Sequence, residues 1–152
     1  MPRFRGPERQ RLALNAWVKL ARATAAIGSR LAAPIAAHDL SESQFGVLEA
    51  LHHLGPLHQA DLARRILRTS GNVTLVVDNL ERRGLVARLR RDDDRRFVTV
   101  RLTPEGEALV RGLFPAHAER AAAEFAALTP AEQRRLIGLC RRLLRGTGAE
   151  AG

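Results

Sequence analysis

The side chains best placed to do chemistry are short polar ones at the start of an amphipathic segment, Ser70-Gly71-Asn72-Val73-Thr74-Leu75. Ser70, Asn72 and Thr74 bring donors and acceptors to one helical turn. There, unpaired backbone N–H groups and the positive end of the helix dipole favour an anion such as phosphate. An asparagine amide can pair with the edge of adenine, and a leucine can meet the methyl of thymine. Asn72, Leu75, Asn79 and Arg82 fall opposite the apolar stripe Val73, Val77 and Leu80, which leaves Leu75 outward on a polar face. Further along, Arg90, Arg91, Arg95 and Arg96 flank Asp92-Asp93-Asp94. Alone, this stretch reads as a solvated turn with compensating charges. Beside a duplex, Asp94 can brace an arginine, and Arg95 or Arg96 can enter a minor groove. Arg68, in the tight turn before Ser70, completes the set.

These residues need a scaffold, and the flanking pattern supplies one. Ser41-Glu42-Ser43-Gln44 is a capping box opening a helix that carries Phe45, Leu48 and Leu51 on one face. Gly55 stops that helix and Pro56 prevents its continuation. A further helix over 59–67 buries Leu62, Ala63 and Ile66, and Arg68-Thr69 turns the chain. The next helix has Ser70 as its expected N-cap and Gly84 just past its end. Residues 85–90 and 96–102 alternate apolar with polar, as half-buried strands do, and enclose the charged tip. Helix, turn, helix and hairpin make a winged helix-turn-helix, suited to duplex DNA.

On the N-terminal side, a long helix over 8–37 carries Leu14, Trp17, Ala21, Thr24, Gly28, Leu31 and Ile35 at alternating spacings of three and four. That spacing suits another helix rather than water. Pro34 should kink or fray its end. On the C-terminal side, Thr103-Pro104 opens a long helix with an expected kink at Pro115. Thr129-Pro130-Ala131-Glu132 opens the last one, with Leu136, Leu139 or Cys140, and Leu143 on its apolar face. The expected fold is mainly α with a small β-hairpin wing, flanked by dimerisation helices. Its parts are a loose arm over 1–7, a first dimerisation helix over 8–40, the winged helix over 41–102, C-terminal dimerisation helices over 103–145 and a disordered tail over 146–152.

The formal net charge of the 152 residues is +9, and the basic residues are 24 arginines and Lys19. Residues 61–101 hold eleven arginines against six acidic residues, a net of +5, so the excess sits in the winged segment. Such a balance favours a polyanionic partner. The near-absence of lysine fits a GC-rich coding bias first and a use of bidentate phosphate forks second, and the two can hold together. No apolar run is long enough to span a membrane, the basic N-terminus lacks the apolar stretch of a secretion signal, and one cysteine forms no internal disulfide. A cytoplasmic protein is the expectation. No Gly-rich phosphate loop, nucleophile elbow or paired-carboxylate setting marks an enzyme.

The span 41–106 resembles the MarR family of bacterial transcriptional regulators. The resemblance rests on Leu80-Glu81, Gly84-Leu85-Val86, Asp94-Arg95-Arg96 and Leu102-Thr103-Pro104-Glu105-Gly106, in order and at the family's spacing. It implies a homodimer joined through the first and last two helices, with two winged helices in successive major grooves of a pseudo-palindromic operator. It further implies a repressor released by a small aromatic or phenolic effector, held between the dimer helices and the winged helix. Trp17, His38, Phe45 and His53 can line such a cleft; the plainer reading makes Trp17 and Phe45 core residues and the histidines surface ones.

The resemblance also covers sensor subtypes. The organic-hydroperoxide sensors use an N-terminal cysteine braced by tyrosine, whereas this chain has no tyrosine, and Cys140, in the last helix, reads as a small core residue. His52, His53 and His58 cluster in sequence while His38 and His117 stand apart, and none has the i, i+4 spacing of a helical metal pair. No metal or other cofactor is expected. The alternative function is a non-specific architectural nucleic-acid-binding protein driven by net charge, whose affinity would be set almost wholly by salt.

Overall fold

The computed structural model describes residues 4–66, 70–90 and 97–146. Six helices and three short strands follow the order α1 (Glu8–Ala36), α2 (Glu42–Leu54), β1 (Leu57–His58), α3 (Gln59–Arg65), α4 (Ser70–Arg82), β2 (Val86–Arg90), β3 (Val98–Leu102), α5 (Pro104–Glu124) and α6 (Pro130–Gly146). The element expected least is β1. The wing is a three-stranded antiparallel sheet of order β1-β3-β2, in which Leu57 faces Val100 and Val86 faces Leu102.

Local signals set most of the helix ends. Ser41 accepts from the Gln44 amide while the Gln44 side chain accepts from Ser41, closing the capping box. Thr103 caps α5 with Pro104 at its first position, and Thr129 and Glu132 exchange hydrogen bonds at the start of α6. Gly55 and Gly84 end α2 and α4 at φ 76° and 69°, a region that side chains disfavour. After α4, the Leu85 amide donates to the Leu80 carbonyl and the Gly84 amide to Glu81, the Schellman closure. α4 begins at Ser70 itself, the residue expected as its cap, and residues 67–69 before it lie outside the described residues. α1 runs two residues beyond Pro34, and α5 continues through Pro115.

The core is gathered under the winged helix. Val47, Leu48 and Leu51 of α2, Leu62 of α3, Val73, Val77 and Leu80 of α4, Val86 and Val100 of the sheet and Val110 of α5 are all buried. Gly106 lets α5 close on this core, because a Cβ there would lie 1.9 Å from the Leu85 carbonyl oxygen. Outside this body the packing thins. α1 buries Ile35 alone, and no residue of α6 is buried. Leu12, Leu14, Trp17, Val18 and Leu20 of α1 and Ile137, Leu139, Leu143 and Leu144 of α6 are exposed.

Candidate nucleic-acid interface

α4 separates its two faces cleanly. Val73, Val77 and Leu80 are buried, and Asn72, Thr74, Leu75 and Arg82 are exposed, Leu75 by 68%. Asn72, Thr74 and Leu75 therefore share the outward side of the first turns, as their spacing requires. The Thr74 hydroxyl accepts from Gln59 Nε2 at 2.9 Å. Asn79 departs from its expected outward position. It is half-buried, and its Oδ1 accepts from Gln44 Nε2 at 2.8 Å, which ties α4 to α2. The helix period puts Asn79 at the border of the two faces, and a partner from α2 draws it inward. Ser70 begins α4, but Arg68, Asp94, Arg95 and Arg96 lie outside the described residues.

The wing meets α4 through Arg88. Arg88 of β2 places Nη2 2.6 Å from Asp78 Oδ1 and Nη1 2.8 Å from Glu81 Oε2. The Arg88 backbone amide donates to the same Glu81 carboxylate at 3.1 Å, and Arg88 Nε donates to Gln59 Oε1 at 3.2 Å. One signal for this was legible. Arg88 shares a strand face with the buried Val86, and a cation on a buried face needs partners; Asp78 and Glu81, three apart on α4, are those partners. At the other end of α4, Arg83 donates to the carbonyls of Asp39 at 2.6 Å and His38 at 3.4 Å. That contact ties the helix to the loop after α1.

These pairs change the charge reading. Arg64 pairs with Asp61, and Arg88 is enclosed by Asp78 and Glu81, so these two arginines are engaged within the domain together with three of the segment's acidic residues. The charge offered to a polyanion comes from the remaining arginines.

Of the four residues expected to line an effector cleft, Phe45 and His53 share one ring cluster through Phe114 and His117, and Trp17 and His38 stand apart from it. Phe45 is buried in the core, Trp17 is 65% exposed on α1, and His38 sits exposed in the loop after it. Trp17 thus also departs from the plainer core reading. His53 borders a cavity of about 520 Å³ against α2, lined also by Glu42, Glu49, Arg65 and Ile66. Behind α2, a ring cluster forms that the sequence did not suggest. Phe45 lies 4.7 Å from His117, and Phe114 lies 4.6 Å from His53. His52 Nδ1 is 3.0 Å from Glu107 Oε1, and that contact, followed by Arg111, holds the Glu107 carboxyl below its usual range. His117, set apart in sequence from the other histidines, turns a buried Nδ1 into this cluster with no partner among the described residues. Cys140 is half-buried on α6. No cluster of metal-ligating side chains occurs among the described residues.

With this geometry in hand, the chain can be set beside known proteins. The MarR family model matches residues 40–98. The HTH-type transcriptional regulator YkoM of Bacillus subtilis is 35% identical over 130 residues, 86% of this chain and 84% of that protein. Among solved structures, Bordetella bronchiseptica BpsR, whose DNA binding is regulated by 6-hydroxynicotinic acid, aligns with a TM-score of 0.69 at 29% identity, covering 82% of this chain and 98% of that one. NadR in complex with 4-hydroxyphenylacetate aligns with a TM-score of 0.75 at 25% identity, covering 94% and 97%.

Proposed function

The chain belongs to the MarR family of transcriptional regulators, DNA-binding proteins rather than enzymes, and on that premise we propose that it is a repressor that binds a pseudo-palindromic operator as a homodimer. The observation that carries this is the outward face of α4. Asn72, Thr74 and Leu75 stand exposed over a fully buried stripe, and an exposed leucine between polar groups suits a base edge better than water. In this reading Asn72 meets a base pair, Arg68 the backbone and one of Arg95 or Arg96 the minor groove, with Asp94 bracing an arginine. The same outward Leu75 weighs against coating of nucleic acid by charge alone.

Dimerisation follows from the other end of the molecule. α1 and α6 carry apolar residues that stay exposed among the described residues. A second copy placing its own α1 and α6 there buries both sets and presents two winged helices, with half-site centres about 10 bp apart. We infer a cytoplasmic location from its action on DNA; among the described residues no helix is long and apolar enough to cross a membrane.

We further infer that a small aromatic or phenolic acid releases the operator. BpsR and NadR, by what is known of each, support that class. The open groove against α2 offers Arg65 as a cation for such a carboxylate and His53 at its edge, with Glu42 and Glu49 opposing a second negative charge.

The test is enrichment of duplexes from a random pool, followed by affinity for an enriched duplex and a scrambled one at about 150 mM salt. A specific regulator should prefer the enriched duplex by about 1,000-fold or more. No preference would sink the reading. Addition of 4-hydroxyphenylacetate or 6-hydroxynicotinate should weaken the specific complex and raise the melting temperature of the free protein. If no aromatic acid does either, the effector class is wrong.

A further inference from the structure

One guanidinium joins the three elements that must be held in register for base readout. The Arg88 side chain is only 12% exposed. It reaches α4 through Asp78 and Glu81, and through the Thr74 carbonyl at 3.3 Å, and it reaches α3 through Gln59 Oε1. Because a guanidinium can only donate, the Gln59 carbonyl must face Arg88 and its NH₂ must face Thr74. The direction of the relay Arg88 to Gln59 to Thr74 is therefore set chemically. Thr74 lies in the first turns of α4, between Asn72 and Leu75 on the exposed side.

The charge arithmetic removes the simplest alternative. Arg88 with Asp78 and Glu81 carries a net charge of −1 (one cation against two carboxylates). A phosphate approaching Arg88 would have to displace a carboxylate already held at 2.6 or 2.8 Å. Neutralising those two acids would make the domain more basic and, by electrostatics alone, would tighten its hold on any duplex.

We propose that Arg88 is a positioning residue for sequence readout: it fixes the orientation of α4 against the wing and α3, and the hydroxyl of Thr74, without touching DNA itself. This rests on the reading of α4 as the base-contacting helix. The bidentate planar fork is what lets one side chain serve two carboxylates and an amide at once, so Arg88→Lys should restore only part of the function.

The test uses the full-length protein, an enriched duplex and a scrambled duplex of equal length, each over a salt series. Arg88→Ala should lower affinity for the enriched duplex about 30-fold, change affinity for the scrambled duplex by less than about 3-fold, and leave the salt slope unaltered, since no phosphate contact is lost. Arg88→Lys should fall between wild type and Arg88→Ala. Because Arg88→Ala could unfold, the double variant Asp78→Asn, Glu81→Gln is measured alongside. It should bind the scrambled duplex more tightly while its preference for the enriched one falls about tenfold. Three results would overturn the proposal. One is equal loss on both duplexes with a shallower salt slope in Arg88→Ala, which makes Arg88 a phosphate contact. The second is an unchanged preference in folded Arg88→Ala. The third is a double variant that tightens equally on both duplexes. A wild-type protein with no preference at all would instead defeat the reading of α4 on which the proposal stands.

Discussion

Two helices of this molecule carry a similar apolar stripe and meet different fates. In α4, Val73, Val77 and Leu80 are all buried, and the polar side that remains faces outward. In α6, Leu136 is half-buried while Ile137, Leu139 and Leu143 are exposed by 50%, 46% and 59%. Periodicity alone does not separate these cases. What separates them is where the partner surface lies. α4 finds it within the chain, in α2, α3 and the sheet. Among the described residues α6 buries none of its side chains, and most of the apolar side of α1 is likewise exposed. A contiguous exposed apolar face on a protein of this size marks an association site. The finished half of the molecule offers a polar surface to a polar ligand, and the unfinished half offers an apolar surface to an apolar one.

The largest effect expected from breaking this contrast is on the finished half. Leu80→Ala should cost about 2–5 kcal/mol of folding stability, read as a lowered denaturation midpoint at every protein concentration. A midpoint that recovered when the protein was concentrated would erase the distinction between the two helices. Gly106→Ala should act in the same way, because its Cβ would meet the Leu85 backbone. The matching change in α6, Leu143→Glu, should leave the winged helix folded and raise the dimer dissociation constant about 100-fold, as a charge at the centre of an apolar interface does. Sedimentation at several concentrations reads it directly, and an unchanged sedimentation profile would show that α6 is not the joining surface.

Asn72→Ala sharpens the comparison from the polar side. It should cost about 1–3 kcal/mol of discrimination at one base pair while leaving the dimer and the salt slope intact, read from binding to single-substituted duplexes. The smallest expected effect concerns the ion pair joining α1 to α5. Arg30 holds the Glu124 carboxyl below its usual range, mainly by hydrogen bonding. A carboxylate whose folded pKa is depressed adds stability above its unfolded value and loses it as pH falls through the folded one. Stability measured against pH should therefore fall less steeply through the acid range in Glu124→Gln than in wild type. Parallel acid limbs would show that the pair contributes nothing.

What the sequence disclosed, and what it withheld, follows the range of the interactions. Ser41 with Gln44, Thr103 with Pro104, Thr129 with Glu132 and the two positive-φ glycines are complete within a few residues, so their pattern can be read directly. The two-residue strand β1 exists only because Leu57 and His58 pair with Val100 and Thr99, and no local pattern announces it. Asn79 was read as outward from its place on the helix; its partner, Gln44, lies on another element. His117 joins the ring cluster because α5 crosses α2, which the sequence spacing of the histidines conceals. Trp17 is not buried by any of the described residues, so reasoning from hydrophobicity to core fails there. The exposure of Asn72, Thr74 and Leu75 was legible because burial of one helical face dictates exposure of the other. Arg88 was overlooked because arginine in a basic domain is first read as a ligand for phosphate. Its place on the buried side of β2 points instead to internal partners.

The most direct test of the central claim, a paired reader assembled through α1 and α6, is a hydroxyl-radical footprint on an enriched duplex. The account predicts two protected windows with centres about 10 bp apart, both lost in Leu143→Glu at concentrations where the wild type is bound. A single window, or uniform protection along the duplex, would contradict it.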